Sequence, residues 1–370
     1  MTARRRFRRL RLAFVAIAVL VLLGALPALF IGVGCYRPFA HPAEPPAETL
    51  RATAGVPNYA REGSATFLTL PEWYIVYSTE EYAAFLTTRP PSQFPWYGSI
   101  SQFWRIYHAA CRATRYEYAF DPGVHLMLGV IGISFSSEQA VKGAYETTLG
   151  RLAESLGGHR TEEDAFARRT TAEYGRFMHT VPWYEFSFAT KLRSLWRETS
   201  MRGAHPARKW ERRAFLSAEY GTKAIYGRLI RWGTGAVYAA EDLEIRAWVD
   251  DMPADAFSEP RVKKLRALGP RSFIIALPRY EAFTPAALRL VRRGVHFRDI
   301  AGNDEIVLTA LGPADARRGL PPQASVVFAE PMLTNPGVTR LAVRAPVRLL
   351  TNVVSSLEAS GATIEHLYDY

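Results

Sequence analysis

The side chains able to do acid–base or metal chemistry in this chain are few and scattered. None of its eight histidines falls in the His-x-x-x-His spacing that sets two imidazoles on one helix face for zinc. His108 and Cys111, three apart, share a helix face but lack a third ligand. With only two cysteines, Cys35 and Cys111, a cysteine-based metal site is excluded by count, and no metal or other cofactor is expected. His125 adjoins the apolar run Leu126–Ile133, where a titratable ring is costly unless it is paired. Glu138 lies thirteen residues later, about 20 Å along a straight helix, too far to be that partner. Glu72 precedes Trp73-Tyr74, where burial raises a carboxyl pKa, and Glu185 follows Trp183-Tyr184, a cluster suited to stacking on a ring or sugar. The catalytic candidates are therefore His125, Glu138, Glu72 and Glu185, with Glu146 and Glu219 as further acids. Gly302-Asn303-Asp304 reads as a β-turn rather than a phosphate loop, and no Gly-x-Ser-x-Gly signature is present.

The elements that must position these groups begin with the N-terminus. Six arginines fall within residues 1–11, and the twenty-five residues from Leu12 to Tyr36 carry no charge. About 20 apolar residues cross a hydrocarbon core as a helix, so Leu12–Gly34 reads as a signal-anchor rather than a cleaved leader, whose apolar stretch is shorter. The arginine excess leaves the N-terminus in the cytoplasm and the body in the periplasm, on a single-pass bacterial inner-membrane protein. Gly32-Val33-Gly34-Cys35 resembles a lipoprotein processing site, and Arg4-Arg5-Arg6-Phe7 part of a twin-arginine signal, but Gly32 replaces the usual large aliphatic residue. Cys35 in the membrane edge and Cys111 in an amphipathic segment are not expected to form a disulfide.

Charge is unevenly spread beyond the anchor. The net +11 divides into +6 over residues 1–11, −2 over 12–99, +7 over 100–240 and zero over 241–370. In the basic middle third, arginines alternate with aromatic residues, notably Trp104, Arg105, Trp183, Tyr184, Trp196 and Arg197. In a tethered chain these suit the headgroup layer of a bilayer with anionic lipid. The bland alternative is a set of ordinary helices with a buried aromatic face and a solvated charged face. Nucleic acid is not an expected partner, since no binding motif accompanies the charge.

The pattern predicts an α+β protein: a transmembrane helix over 1–36, a proline- and alanine-rich linker over 37–62 that holds the body off the anchor, a mostly helical region over 63–240, and a C-terminal α+β sandwich over 241–370 similar to a ferredoxin-like arrangement. Helices are predicted near 99–116, 124–156, 162–178, 183–199 and 208–237, with Thr161 and Asp164 capping the third. Residues 66–77 read as a strand or a short helix begun at Pro71, and Ser78 with Glu81 as a capping box opening a helix. The uncharged stretch 122–137 reads as a buried or interfacial helix, with a second membrane crossing as the rival, and Gly129 and Gly132 allow close packing. Two strand–helix–strand units, 272–300 and 339–370, share little sequence, so no duplication is inferred. Function follows as a membrane-anchored, non-catalytic interaction or accessory protein of the cell envelope with an unidentified protein partner. The alternative is a membrane-associated enzyme acting on a lipid or envelope substrate, its site near His125, Glu138 and Trp183.

Overall fold

The structure is a computed structural model that describes residues 14, 25, 28–36, 47–234, 243–258 and 261–370. The arginine-rich head and most of the expected anchor, the prolines of 37–46 and the expected boundary at 240 lie outside the described residues; the stretch 28–34 is helical. The described chain is α+β, a helical region followed by a region of two four-stranded antiparallel sheets.

The helices in chain order are α1 (Ala47–Thr53), α2 (Ala65–Leu68), α3 (Leu70–Phe85), α4 (Trp96–Thr114), α5 (Pro122–Tyr145), α6 (Arg151–Gly157), α7 (Glu162–Met178), α8 (Phe188–Glu198) and α9 (Pro206–Thr234). Pro71 sits in the first turn of α3, so the helix starts there and runs through Ser78. The capping box expected at Ser78 is therefore absent. Ser78 donates to the Ile75 carbonyl within the helix, and Glu81 accepts from the Thr334 backbone and hydroxyl. The Thr161–Asp164 capping box does open α7. Asp121 caps α5, and Gly132 lets it close on α4: a Cβ there would meet the Phe103 ring at 2.5 Å. α5 joins α6 through a π-helical turn, Glu146–Gly150, giving one long rod that Gly158 ends at φ +70°.

The strands are β1 (Glu244–Asp250), β2 (Lys263–Ala267), β3 (Phe273–Pro278), β4 (His296–Ile300), β5 (Glu305–Gly312), β6 (Ser325–Pro331), β7 (Thr339–Pro346) and β8 (Thr363–Tyr368), with α10 (Phe283–Arg292) and α11 (Leu350–Ala359) between β3 and β4 and between β7 and β8. The sheet orders are β2-β3-β1-β4 and β6-β7-β5-β8. The second sheet thus repeats the first strand for strand. The repetition extends to irregularities: the β1–β4 register slips after Trp248, the fifth residue of its strand, and β5–β8 slips after Thr309, also the fifth. The β2–β3 and β6–β7 pairs slip at matching second-to-fourth positions. Both helices are followed by a glycine at φ +79°, Gly294 and Gly361. The two units are one topology used twice, and the sequence concealed this because sheet register constrains burial alternation, not residue identity. The ferredoxin-like expectation missed β1 and β2.

One hydrophobic core is shared by both sheets and both helices, including Val249, Ile275, Leu290, Leu308, Val343 and Val354. The second sheet is covered on its other face as well, where Val307, Ala342 and Tyr368 pack with Phe67, Phe103 and Tyr107 of the helical region. The end of the expected linker is docked rather than free. Tyr59 is buried and donates to Asp299, Arg61 N–H donates to the Ala301 carbonyl, and Arg266 donates to the Ala52 and Ala54 carbonyls. Leu308→Ala, at a fully buried site, is expected to lower stability by about 2–5 kcal/mol. Leu265→Ala on exposed β2 is expected to change it by less than about 0.5 kcal/mol, both read from denaturant unfolding in detergent.

Candidate functional site

The charged side chains of α5 and α9 point at one another. Glu138 pairs with Lys142 at 2.9 Å and Lys223 at 2.8 Å, and Glu219 with Lys142 at 2.5 Å and Lys223 at 3.4 Å. Further along, Arg212 meets Glu146 at 2.7 Å and Asp164 at 3.2 Å, Arg208 meets Asp164 at 3.1 Å and Glu211 at 2.8 Å, and Arg213 meets Glu163 at 2.7 Å. As α5 residue numbers rise, their α9 partners fall, so the helices run antiparallel. Arg208, Arg212, Arg213, Glu146 and Glu163 are each no more than 2% exposed. Between the Glu138–Lys223 group and α3, α4, α7 and α8 lies a cavity of about 40 Å³ that is also lined by Thr170, Tyr174 and Gln139. It has room for water but not for a lipid or sugar.

The outer faces of the same helices are apolar. All seven charged residues of α9 from Arg208 to Lys223 are buried or half-buried, while its exposed positions from 208 to 226 are Trp210, Ala214, Ala218, Thr222, Ile225 and Tyr226. On the α5–α6 rod, Leu126, Met127, Val130, Val141, Leu149, Leu152 and Leu156 are 48–70% exposed. The rod is long and apolar enough to cross a membrane, and only 28% of its most apolar stretch is buried. Water-soluble helices have the opposite arrangement.

Near the end of α4 the chain is clasped to the end of the helical stretch 28–34. Cys35 and Cys111 form a disulfide, with Cα atoms 4.7 Å apart, which overturns the expectation that they stay unpaired. The sequence reading placed Cys35 at the membrane edge away from α4, whereas packing of Phe30 on Trp104 and Tyr107 brings the two together. His125 is beside them, stacked on Phe120 at 4.6 Å with Nδ1 2.9 Å from the Tyr107 hydroxyl. An open groove of about 410 Å³ runs between Phe30, Val33 and Gly34 on one side and Ser101, Trp104, Arg105 and His108 of α4 on the other.

A third cluster joins α3 to β8. The His366 ring lies 3.9 Å from Trp73 and near Tyr77 and Tyr368, with Nδ1 3.2 Å from the Thr284 hydroxyl. Burial, with His179 nearby, depresses its pKa to about 3, so the ring is neutral. His179 bonds Glu80 at 2.8 Å, which holds its own pKa above the ordinary value. Desolvation alone lifts the Glu72 carboxyl to about 7.

The candidates from the sequence fall in separate places. His125 and Glu138 share α5 but belong to different clusters, and Glu72 stands in the first turn of α3. Glu185 is exposed, 3.6 Å from Arg231, while Trp183 packs on Tyr226 beside Tyr184, whose carbonyl accepts from Arg231. The structure does not bring His125, Glu138 and Trp183 into one site. Among the lipid-interface candidates, Trp104 donates to Ser136, Arg105 makes a two-pronged pair with Glu330, Trp196 donates to Ser217 and meets Trp210 edge-on, and Arg197 is exposed. The sequence reading named Glu219 as a candidate acid but missed the rest of the inward row, Arg208, Arg212, Arg213 and Lys223. Its signal was the helical spacing of charges opposite Trp210, Ala214 and Ala218.

No known protein family, curated protein or solved structure matches the chain.

Arg212→Ala leaves Glu146 and Asp164 without their shared cation and is expected to cost about 3–5 kcal/mol, against about 1 kcal/mol for Arg105→Ala, whose own side chain is exposed, both measured by denaturant unfolding. The raised Glu72 pKa means the folded state binds a proton more tightly than the unfolded one. Stability from this group is complete below about pH 4.5 and is lost as pH rises through about 7. Glu72→Gln should therefore melt above the parent at pH 8 by more than at pH 4, in paired thermal scans.

Proposed function

We propose that this chain is a membrane-anchored, non-catalytic accessory or interaction protein of the cell envelope, with its helical region lying on the bilayer and its paired sheets turned toward a protein partner. The observation that carries the reading is the reversed polarity of α5–α6 and α9. A helix that hides seven charges and exposes tryptophan, alanine and isoleucine is stable where its outer surface meets hydrocarbon or the apolar part of the headgroup layer. Water would reward the opposite orientation. The disulfide at the base of the anchor supports a body on the oxidising side of the membrane, since such bonds persist there and are rare in the cytosol. Anionic headgroups suit the exposed Arg151, Arg197, Arg228 and Arg231.

A catalytic reading gains little from the geometry. The cavity beside Glu138 is too small for a lipid substrate, and its carboxylates and ammonium groups neutralise one another. Reactive sites need a group left poised, and here each charge is engaged.

Single cysteines introduced at Val141, Leu149 and Ile225, labelled with an environment-sensitive fluorophore on the full-length chain in liposomes, should be quenched by lipids carrying nitroxide on the upper acyl chain. A label at Leu265 should not be. Equal quenching at all four sites would defeat the proposal. Reporter fusions after residues 60, 160 and 370 should all report the extracytoplasmic side.

A further inference from the structure

Cys35, Cys111 and His125 converge from three separate parts of the chain: the end of the helical stretch 28–34, α4 and α5. One sulfur from each cysteine and one ring nitrogen all lie within 4.8 Å of one another, and the three residues are 3%, 0% and 4% exposed. A disulfide alone gives no reason for a histidine here. The ring is also held in place: it stacks on Phe120 at 4.6 Å with planes 9° apart, and Tyr107 engages Nδ1 at 2.9 Å. This is the outer-shell support that orients a metal-binding imidazole.

We propose that, when the disulfide is reduced, Cys35, Cys111 and His125 bind one thiophilic divalent cation of the Zn²⁺ class, so that metal and disulfide are alternative closures of the same joint. Charge favours this ligand. Two thiolates cancel the two positive charges, leaving a neutral complex in a pocket walled by Phe30, Tyr107 and Phe120. Metal–sulfur bonds of about 2.3 Å and metal–nitrogen bonds of about 2.0 Å place ligand atoms roughly 3.5–4 Å apart, inside the span already present. The two sulfurs must separate, and Cys35 sits past the last helical residue of its stretch, followed by exposed Tyr36, so the separation would come from movement of that end of the chain.

Proton positions can follow. With Nδ1 engaged by Tyr107, Nε2 is the nitrogen available to a metal, which requires the ring proton on Nδ1. The Tyr107 oxygen can accept that proton's hydrogen bond while its own hydrogen turns to the His125 carbonyl, 3.4 Å away. Opening the joint takes two electrons and two protons from an external dithiol, which becomes a disulfide as Cys35 and Cys111 become thiols. Binding then releases both thiol protons as two metal–sulfur bonds form, and water fills the fourth position.

The test uses the full-length chain in detergent, with a phosphine as reductant; it takes up the oxygen of one water and passes two electrons and two protons to the disulfide. After the phosphine is removed, Zn²⁺ is titrated against a chromophoric chelator. The reduced chain should bind one Zn²⁺ per molecule and the oxidised chain none. Cys35→Ser should abolish binding, His125→Gln should weaken it by about a hundredfold, and His108→Gln, an exposed ring on the same helix as Cys111, should leave it unchanged. Equal uptake by the oxidised and reduced chains, or uptake indifferent to His125→Gln, overturns the proposal. If His125→Gln does not fold, the wild-type Co²⁺ complex decides: thiolate-to-cobalt charge transfer with tetrahedral ligand-field bands supports the site, and their absence overturns it.

Discussion

The pairing of buried charge between α5, α7 and α9 is the constraint on which the helical region rests. Taking Arg208, Arg212, Arg213, Glu146 and Glu163 out of water costs several kcal/mol for each ion, and only near-contact geometry with opposite charges offsets it. Those contacts fix how the helices are rotated. Once the α9 charges from Arg208 to Lys223 are committed inward, Trp210, Ala214, Ala218 and Ile225 have no choice but to face out. The exposed apolar surface is thus the other side of the ion network, and the two cannot be altered independently.

Helical period could be read from the sequence, but not which face turns inward. The spacing of Arg208, Arg212, Glu219 and Lys223 fits a solvated stripe and a buried seam equally well, because periodicity carries no sign. A local signal was read correctly where nothing competes with it: Thr161 and Asp164 cap α7. Ser78 and Glu81 have the same pattern as a cap, yet the helix begun at Pro71 already supplies the preceding turn. The Cys35–Cys111 pair spans 76 residues and depends on tertiary packing around Phe30, which no local pattern reports.

The candidate chemistry was legible only residue by residue. Glu72 sits where desolvation controls its proton, as its aromatic neighbours suggested, and His125 is paired with Tyr107, beside the cysteines, rather than with a carboxylate. The doubled sheet was hidden because its two copies agree in strand order, register slips and helix-ending glycines while differing in side chains. Both copies close on one core, so neither helix has a private hydrophobic partner.

The disulfide also alters what a cut in the chain would do. It joins residues 35 and 111 into a covalent ring, and the stretch between them includes the proline-rich segment that, on the proposed reading, links anchor to body. A protease that nicks this segment would break the backbone and leave the two pieces joined through Cys35 and Cys111. Separation would require a second event at the sulfur bridge, so the connection proposed to hold the body to the membrane is protected by two bonds of different chemistry.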